Sequence, residues 1–261
     1  MCPNSTTPAR TWLYRGFHAA LDVLFPPACA VCGTPGIDGS ERICRLCEAA
    51  LESQYRIAYC PACARTVPPF VVAGGRCNRC RERKMRVAGV VRAGPYEEPF
   101  RAILRAFKYH RRWSIGRYLA GRLTAEFEHA PWFESIDALV TVPPWWPRRI
   151  VTGDYPPAIL ARGISGRTGV PLIPALRRIK GGPSQIGLTE LQRIQNVRGK
   201  FAVTPGVRIA GATLCLVDDV MTTGATLDEC ARILLGAGAA QVYAGVLARA
   251  ARDTPSVTPS A

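Results

Sequence analysis

Two acidic residues stand side by side where an apolar run near the end of the chain stops. Residues 214–217 are apolar, Asp218 and Asp219 follow directly, and two threonines and a glycine lead into a helix-like segment starting at Ala225. Backbone N–H groups at a helix start, joined by threonine hydroxyls, form a cup for one phosphate monoester. The predicted cup comprises Val220, Met221, Thr222, Thr223, Gly224, Ala225 and Thr226.

Carboxylates beside a phosphate cup repel the ligand unless they face hydroxyl groups. A ribose 5-phosphate carries two hydroxyls close to its phosphate, and Asp218 and Asp219 can accept hydrogen bonds from them. Charge-assisted bonds of this kind contribute about 1.5 to 3 kcal/mol each. The alternative is an acidic turn in which Thr222 or Thr223 caps the helix, which explains the acids and one threonine but not the whole order of residues.

Eight of the eleven cysteines form four pairs with the same C-x2-C spacing. Two thiolates from one tight turn can reach a metal ion about 2.3 Å away, and a second pair completes a tetrahedron. Eleven residues separate the first two pairs and thirteen the last two, which suits two zinc ribbons. The predicted ligands are Cys29, Cys32, Cys44, Cys47, Cys60, Cys63, Cys77 and Cys80.

Structural zinc, as one or two ions, is favoured over the other roles of paired cysteines. A reducing compartment keeps thiols free of disulfides, and the regular pairs lack the closely spaced run typical of an iron–sulfur cluster. Redox-active or unligated thiols remain as alternatives. Consecutive pairs that share an ion and cross-braced pairs both satisfy the spacing.

Basic residues outnumber acidic ones by 34 to 19, which gives a net charge of +15. Such a balance is typical of proteins that bind polyanions, although a solvated basic surface is the alternative. Arg101, Arg105, Lys108 and Arg112 share one side of a predicted helix and could follow the phosphates of a nucleic-acid strand. Tyr109 and Trp113 could stack on its bases, or belong to the core.

The elements that must position these residues alternate between strand and helix in the second half of the chain. Continuously apolar strands between helices favour a parallel sheet covered on both faces, with ligands at the carboxyl ends of the strands. The predicted strands are 87–93, 138–142, 170–174, 213–217 and 242–247. The predicted helices are 99–107, 114–129, 157–167, 188–197 and 225–235.

The string VDDVMTTGAT over residues 217–226 resembles the phosphoribosyl-pyrophosphate (PRPP) motif of type I phosphoribosyltransferases. The resemblance implies their fold, a parallel sheet flanked by helices, and a PRPP ligand bound with Mg2+. With the cysteine pairs ahead of it, the chain resembles the ComF family, linked to DNA uptake in natural competence. The further residues that carry this resemblance are Lys108 in FKYH, Gln185, Arg193, Asn196 and Phe201 in SQIGLTELQRIQNVRGKF, and the Ala248-Arg249 ending.

The family resemblance implies an α/β chain with a small zinc-ribbon module in front. We expect a docking helix in 1–27, a double zinc-ribbon module in 28–85, a phosphoribosyltransferase-like domain in 86–250 and a disordered tail in 251–261. The predicted role is PRPP binding in DNA uptake, and the alternatives are an active phosphoribosyltransferase of unknown acceptor or a PRPP-sensing regulator. Single-stranded DNA and other competence proteins such as a helicase are the further partners considered.

A predicted mobile flap, residues 181–199, would close over PRPP as in related transferases. Arg193 and Gln185 are its candidates for pyrophosphate contact, so Asp218, Asp219 and Arg193 form the predicted catalytic set, with Lys108 as a further PRPP ligand. A solvated surface helix is the alternative reading of the flap.

One segment departs from the family pattern, which has Arg-Gly-Phe-Asn after the strand that ends at Val142-Pro143. This chain has Thr152-Gly153-Asp154-Tyr155 there, and Arg148 or Arg149 is the candidate replacement for the missing arginine. No stretch reaches the roughly 18 apolar residues of a membrane helix, and the N-terminus makes a poor signal peptide. We therefore expect a soluble cytoplasmic protein.

Overall fold

The computed structural model describes residues 28–35, 43–70, 75–82, 84–109, 115–144, 155–181 and 190–250. Among the described helices, none combines the length and the apolar character needed to cross a membrane. Several predictions lie outside the described residues: the docking helix in 1–27, the tail in 251–261, Arg112, Trp113, Arg148, Arg149, residues 152–154, and Gln185. The backbone of Arg193 is described, but its side chain is not.

Four parallel strands form the central sheet in the order β1-β6-β5-β2. They are β1 (Val90–Pro95), β2 (Ala138–Thr141), β5 (Thr213–Met221) and β6 (Gln241–Arg249). Every pairing is parallel, with Leu216 of β5 opposite Ala244 of β6 and Val140 of β2. The predicted parallel sheet is confirmed, and β5 lies at its centre because β6 and β2 flank it.

Helices cover both faces of this sheet. On one face α3 (Phe100–Lys108), α4 (Gly116–Glu128) and α5 (Pro156–Thr168) pack against alternate strand residues such as Val217. On the other, α6 (Glu190–Val197) and α7 (Ala225–Gly236) pack against the residues between them, such as Leu216. Because successive strand residues point to opposite faces, one continuously apolar strand feeds both cores.

The predicted strand at 170–174 is wrong as a full strand. Only Leu172 forms a bridge, to Leu139, held by hydrogen bonds from the Leu139 N–H to the Pro171 carbonyl and from the Ile173 N–H to the Leu139 carbonyl. Pro171 has no N–H to donate to the neighbouring strand, so the ladder cannot extend on that side of the bridge.

An antiparallel pair that the sequence did not predict frames the flap. It joins β3 (Leu176–Arg178) to β4 (Phe201–Val203), with Arg178 opposite Phe201, and α6 lies between them in the chain. Each strand has only three residues, which is too short for a periodic pattern to stand out. The segment predicted as a flap, residues 181–199, therefore lies between two neighbouring strands in the chain.

The cysteine-rich segment forms two small units beside the sheet. The first has a bridge between Ala28 and Pro35 followed by α1 (Arg45–Tyr55), and the second has a bridge between Tyr59 and Thr66 followed by α2 (Asn78–Glu82). The second unit reaches the edge strand directly, because the Val90 N–H donates to the Pro61 carbonyl at 2.7 Å.

Candidate ligand and zinc sites

The eight paired cysteines form two groups of four. Within each group the sulfur atoms all lie within 4.8 Å of one another. The Sγ–Sγ distance is 3.7 Å between Cys32 and Cys44 and 3.7 Å between Cys63 and Cys77. Zn–S bonds of about 2.3 Å in a tetrahedron require Sγ–Sγ edges of about 3.8 Å, so both groups fit zinc. The groups are Cys29, Cys32, Cys44, Cys47 and Cys60, Cys63, Cys77, Cys80, so consecutive pairs share a site rather than cross-brace.

The two sites differ in their exposure to solvent. In the first site Cys32 is exposed and the Cys29 sulfur accepts the backbone N–H groups of Val31 and Cys44, both at 3.4 Å. In the second site all four cysteines are buried, and the Cys60 sulfur accepts the Cys77 N–H at 3.3 Å. Backbone N–H donors stabilise thiolates, the form that binds zinc.

The two acids lie within the last residues of the central strand rather than after it. We predicted that the strand ends at Val217, but β5 continues through both aspartates to Met221. The reason is pairing, because Val220 and Met221 still match Ala248 and Arg249 of β6. Asp218 is partly buried and Asp219 is buried, so both carboxylates sit at the carboxyl edge of the sheet as expected.

Each of the two carboxylates accepts a hydrogen bond from the backbone N–H of the next residue. The Asp219 N–H donates to Asp218 Oδ1 at 2.9 Å, and the Val220 N–H donates to Asp219 Oδ1 at 2.7 Å. Each contact leaves the second oxygen of that carboxylate outside these bonds. An ionised carboxylate can accept about four hydrogen bonds, so capacity for a ligand hydroxyl remains.

Lys108 reaches the acids from the end of α3, with its Nζ 2.9 Å from Asp219 Oδ2. Burial and the neighbouring Asp219 charge raise the pKa of Asp218 to about 7, against the opposing charge of Lys108. Burial alone would lower the pKa of Lys108, but Asp219 and Asp218 raise it above its usual value, so the amine stays charged. The acidic pair thus carries its own counter-ion, and Asp218 titrates near neutral pH.

The loop that follows the acids turns sharply into α7. Gly224 has φ +83°, and a Cβ there would lie 2.6 Å from Met221 Cε and 2.7 Å from Met85 Cε. Glycine is therefore required for its conformation, and an added Cβ would also displace the two methionine methyl groups. The Ala225 N–H donates to Thr223 Oγ1 at 3.3 Å as the helix begins. The N–H groups that start α7 lie directly beyond the two acids.

The structure brings together Asp218, Asp219, Lys108 and residues 220–226, which the sequence predicted as one site. Lys108, which was also predicted to follow a DNA strand, lies with its Nζ 2.9 Å from Asp219 Oδ2. Arg101, from the same predicted set, pairs with Glu98 at 2.7 Å. Phe201 is a core residue at the base of the flap, 3% exposed.

Sequence reasoning missed the contacts through which two residues, Glu229 and Arg249, support the candidate site. Glu229 of α7 accepts the Gly199 N–H at 2.8 Å and two bonds from Arg232 at 2.9 Å, which ties the end of the flap to α7. Arg249 at the end of β6 is buried and reaches Met221. The three-residue spacing of Glu229 and Arg232 was a helical pairing signal, whereas the contact of Arg249 is visible only in three dimensions.

Comparison with known proteins finds one matching domain family and several similar proteins. The double zinc ribbon domain family matches residues 20–81. The DNA utilization protein YhgH of Escherichia coli K12 is 28% identical over 231 residues, 86% of this chain and 97% of that protein. Competence protein F of Haemophilus influenzae is 27% identical over 218 residues, 80% of this chain and 90% of that protein. These relatives and the double zinc ribbon match support the assignment of this chain to the ComF family. The double zinc ribbon match and the two cysteine groups together support structural zinc sites.

Similar solved structures cover about half of this chain. Glutamine PRPP amidotransferase from B. subtilis is 23% identical with a TM-score of 0.34, over 50% of this chain and 26% of that one. A purine phosphoribosyltransferase from Pyrococcus horikoshii is 16% identical with a TM-score of 0.33, over 55% and 80%. The fold assignment rests on the parallel sheet and its flanking helices.

Proposed function

We propose that this ComF-family protein binds PRPP with Mg2+ at the carboxyl end of β5 and acts in DNA uptake. The observation that carries the PRPP proposal is the order of groups along one short segment. Two carboxylates end the strand, a tight glycine turn follows, and the amides of a helix start come next. This order matches a sugar diol next to its own phosphate.

The ribose end of the ligand would lie against the acids. One oxygen of each carboxylate, in Asp218 and in Asp219, accepts a backbone N–H, and this bond fixes the orientation of the carboxylate. A ribose hydroxyl that donates to either carboxylate would form a charge-assisted bond. Such bonds require an ionised acceptor, which links binding to the protonation state of Asp218.

The phosphate end would lie in the turn from Thr222 to Thr226. The amides that open α7 and the threonine hydroxyls are the donors, and the positive φ of Gly224 allows a phosphate to come close to the backbone. Lys108 is the proposed partner for the negative pyrophosphate, because it already lies at the acids with its charge retained. Arg193 and Gln185 of the flap are proposed to contact the pyrophosphate as the flap closes. Mg2+ would be held mainly by pyrophosphate and ribose oxygens.

Calorimetry with Mg2+ and PRPP tests this site. We expect wild-type protein to bind, and Asp218→Asn or Asp219→Asn to weaken binding about tenfold or more, because each removes a charge-assisted bond. Asp137→Asn is the matched control, since Asp137 lies at the other end of the same strand pair, where it accepts the Thr213 N–H at 2.8 Å. Absence of heat with the wild-type protein, or equal binding by all variants, would contradict the proposal.

Transfer of the phosphoribosyl group is a second candidate activity. The acids, Lys108 and the flap residue Arg193 would then stabilise the positive charge at the sugar and the leaving pyrophosphate. A screen for pyrophosphate release with purine, pyrimidine and amine acceptors separates an enzyme from a sensor. PRPP-dependent release that Asp218→Asn abolishes supports transfer, whereas PRPP binding without release from any acceptor supports a sensing role.

The DNA-uptake part of the proposal draws on the relatives and on charge. The names of the related proteins refer to DNA utilization and competence, and the chain carries a net charge of +15. Single-stranded DNA and a competence helicase are the proposed partners. Binding to labelled single-stranded oligonucleotides by the purified protein is the direct check on the DNA partner.

A further inference from the structure

Arg249 links the second zinc site to the loop that follows the acids. It is the last residue of β6 and is 8% exposed. Its Nη1 donates to the carbonyl of Cys63 and lies 3.4 Å from the Met221 sulfur. The next backbone N–H, that of Ala250, donates to the Met221 carbonyl at 2.9 Å. One buried guanidinium therefore touches a zinc ligand's backbone and the residue that starts the loop.

Met221 and Met85 carry the contact onward to Gly224. A Cβ on Gly224 would lie 2.6 Å from the Met221 methyl carbon and 2.7 Å from the Met85 methyl carbon. Met85 also packs against the buried cysteines of the second site. The turn at Gly224 therefore packs between two methionines. Met85 contacts the second ribbon, and Met221 contacts Arg249.

A basic groove lies at this seam, and Thr223, Gly224 and Ala225 of the loop form part of its lining. Arg79, Lys84 and Arg249 line it together with Cys63, Cys80 and Asp228. Four thiolates around one Zn2+ carry two net negative charges. The arginines and the lysine therefore balance the metal site.

We propose that Arg249 is a positioning residue that sets the loop from Met221 to Gly224 against the second zinc site, so that filling this site prepares the loop for its ligand. This inference rests on the proposed PRPP site. The first zinc site has no such role, because its unit packs through α1 on α3, where the Gln54 side chain accepts the Phe100 N–H at 3.1 Å.

Arg249→Lys is the test, with Arg92→Lys as its matched control. Arg92 is also buried and donates to the neighbouring ribbon carbonyl, that of Ala64 at 2.9 Å, but it lies on β1 rather than at Met221. The chain has three methionines, Met1, Met85 and Met221, so carbon-13 labelling of their methyl groups gives a simple spectrum in which two signals flank Gly224.

We expect Arg249→Lys to keep two zinc ions per chain, to shift the Met221 methyl signal and to weaken PRPP binding about tenfold or more. Arg92→Lys should leave that signal and the PRPP affinity close to wild type. Equal affinity of Arg249→Lys and wild type, or an equal loss in both variants, would overturn the inference. A wild-type protein that does not bind PRPP would instead overturn the proposed function.

A pair of cysteine variants decides the matter if Arg249→Lys does not fold. Cys63→Ser removes a ligand of the second site and Cys44→Ser removes one of the first. Each should lose one zinc ion, but only Cys63→Ser should lose PRPP binding and shift the Met221 and Met85 signals. The same PRPP affinity in both variants would overturn the inference.

Discussion

At the scale of single residues, Asp218 is the most sensitive group in the proposed site. Its neighbours pull its pKa in opposite directions, because burial and Asp219 raise it while Lys108 lowers it. The net result is a pKa of about 7, which lies far above that of an exposed aspartate. A carboxylate whose pKa lies near neutrality makes ligand binding depend on pH.

Binding of Mg2+ and PRPP should strengthen as the pH rises through about 7, because ionised Asp218 accepts a hydroxyl hydrogen bond that the protonated acid accepts less well. Calorimetric titrations between about pH 6 and pH 8 measure this change. The ligand's own phosphates also titrate in this range, with a pKa of about 6.

Asp218→Asn separates the two sources of pH dependence. Its residual binding should lack the step near neutral pH, while Asp137→Asn should keep it. A wild-type affinity that does not change with pH, or an identical pH profile in Asp218→Asn, would show that Asp218 does not meet the ligand.

At the scale of elements, the turn between β5 and α7 depends on both backbone shape and packing. Gly224 and Gly206 provide a matched comparison, because their φ angles are +83° and +80° but only Gly224 has atoms where a Cβ would go. Alanine in the left-handed region costs about 1 to 2 kcal/mol at either position. Any further loss in the free energy of unfolding at Gly224 measures the effect of the two methionine contacts.

Gly224→Ala should therefore destabilise the protein more than Gly206→Ala and should also weaken PRPP binding, since the turn can no longer close against Met221 and Met85. Denaturant unfolding gives the stability difference, and calorimetry gives the affinity. Equal destabilisation by the two variants, with PRPP affinity unchanged, would show that the methionine packing does not shape the site.

Elements with long periodic patterns were predictable from the sequence, and short or irregular ones were not. The helix from Pro156 to Thr168 was expected within one residue at each end, because its composition and its flanking proline and glycine mark both boundaries. The three-residue strands β3 and β4 and the single bridge at Leu172 have no such signature.

The candidate site divides in the same way. Residues 217–226 are contiguous, so the order of acids, turn and helix could be read directly. The contact of Lys108 with Asp219 joins α3 to β5, and that of Arg249 with Cys63 spans 186 positions. Such contacts depend on how the strands are ordered in the sheet, which local patterns do not encode.

At the scale of the whole molecule, the net charge of +15 predicts salt-sensitive binding to single-stranded DNA. Each phosphate contact makes the fall of log K with log salt steeper by about 0.7 for single strands. Affinity measured by fluorescence anisotropy should therefore fall steeply between low and moderate salt. A flat response would remove the DNA-binding proposal.

Arg105→Gln on α3 should reduce this salt slope by about 0.7 if the side chain contacts one phosphate. Arg232→Gln is the control, because Arg232 lies on α7 across the sheet and is held by Glu229. A salt slope that falls equally in both variants would point to bulk charge rather than to a DNA-binding face on α3.

The most direct measurement for the whole account is a crystal structure of the protein with Mg2+ and PRPP bound. We predict ribose hydroxyl oxygens within hydrogen-bonding distance, about 2.5 to 3.0 Å, of the Asp218 and Asp219 carboxylates. The 5-phosphate should lie on the amides between Thr222 and Thr226. A ligand bound elsewhere, or an empty site with both carboxylates turned away from it, would contradict the assignment.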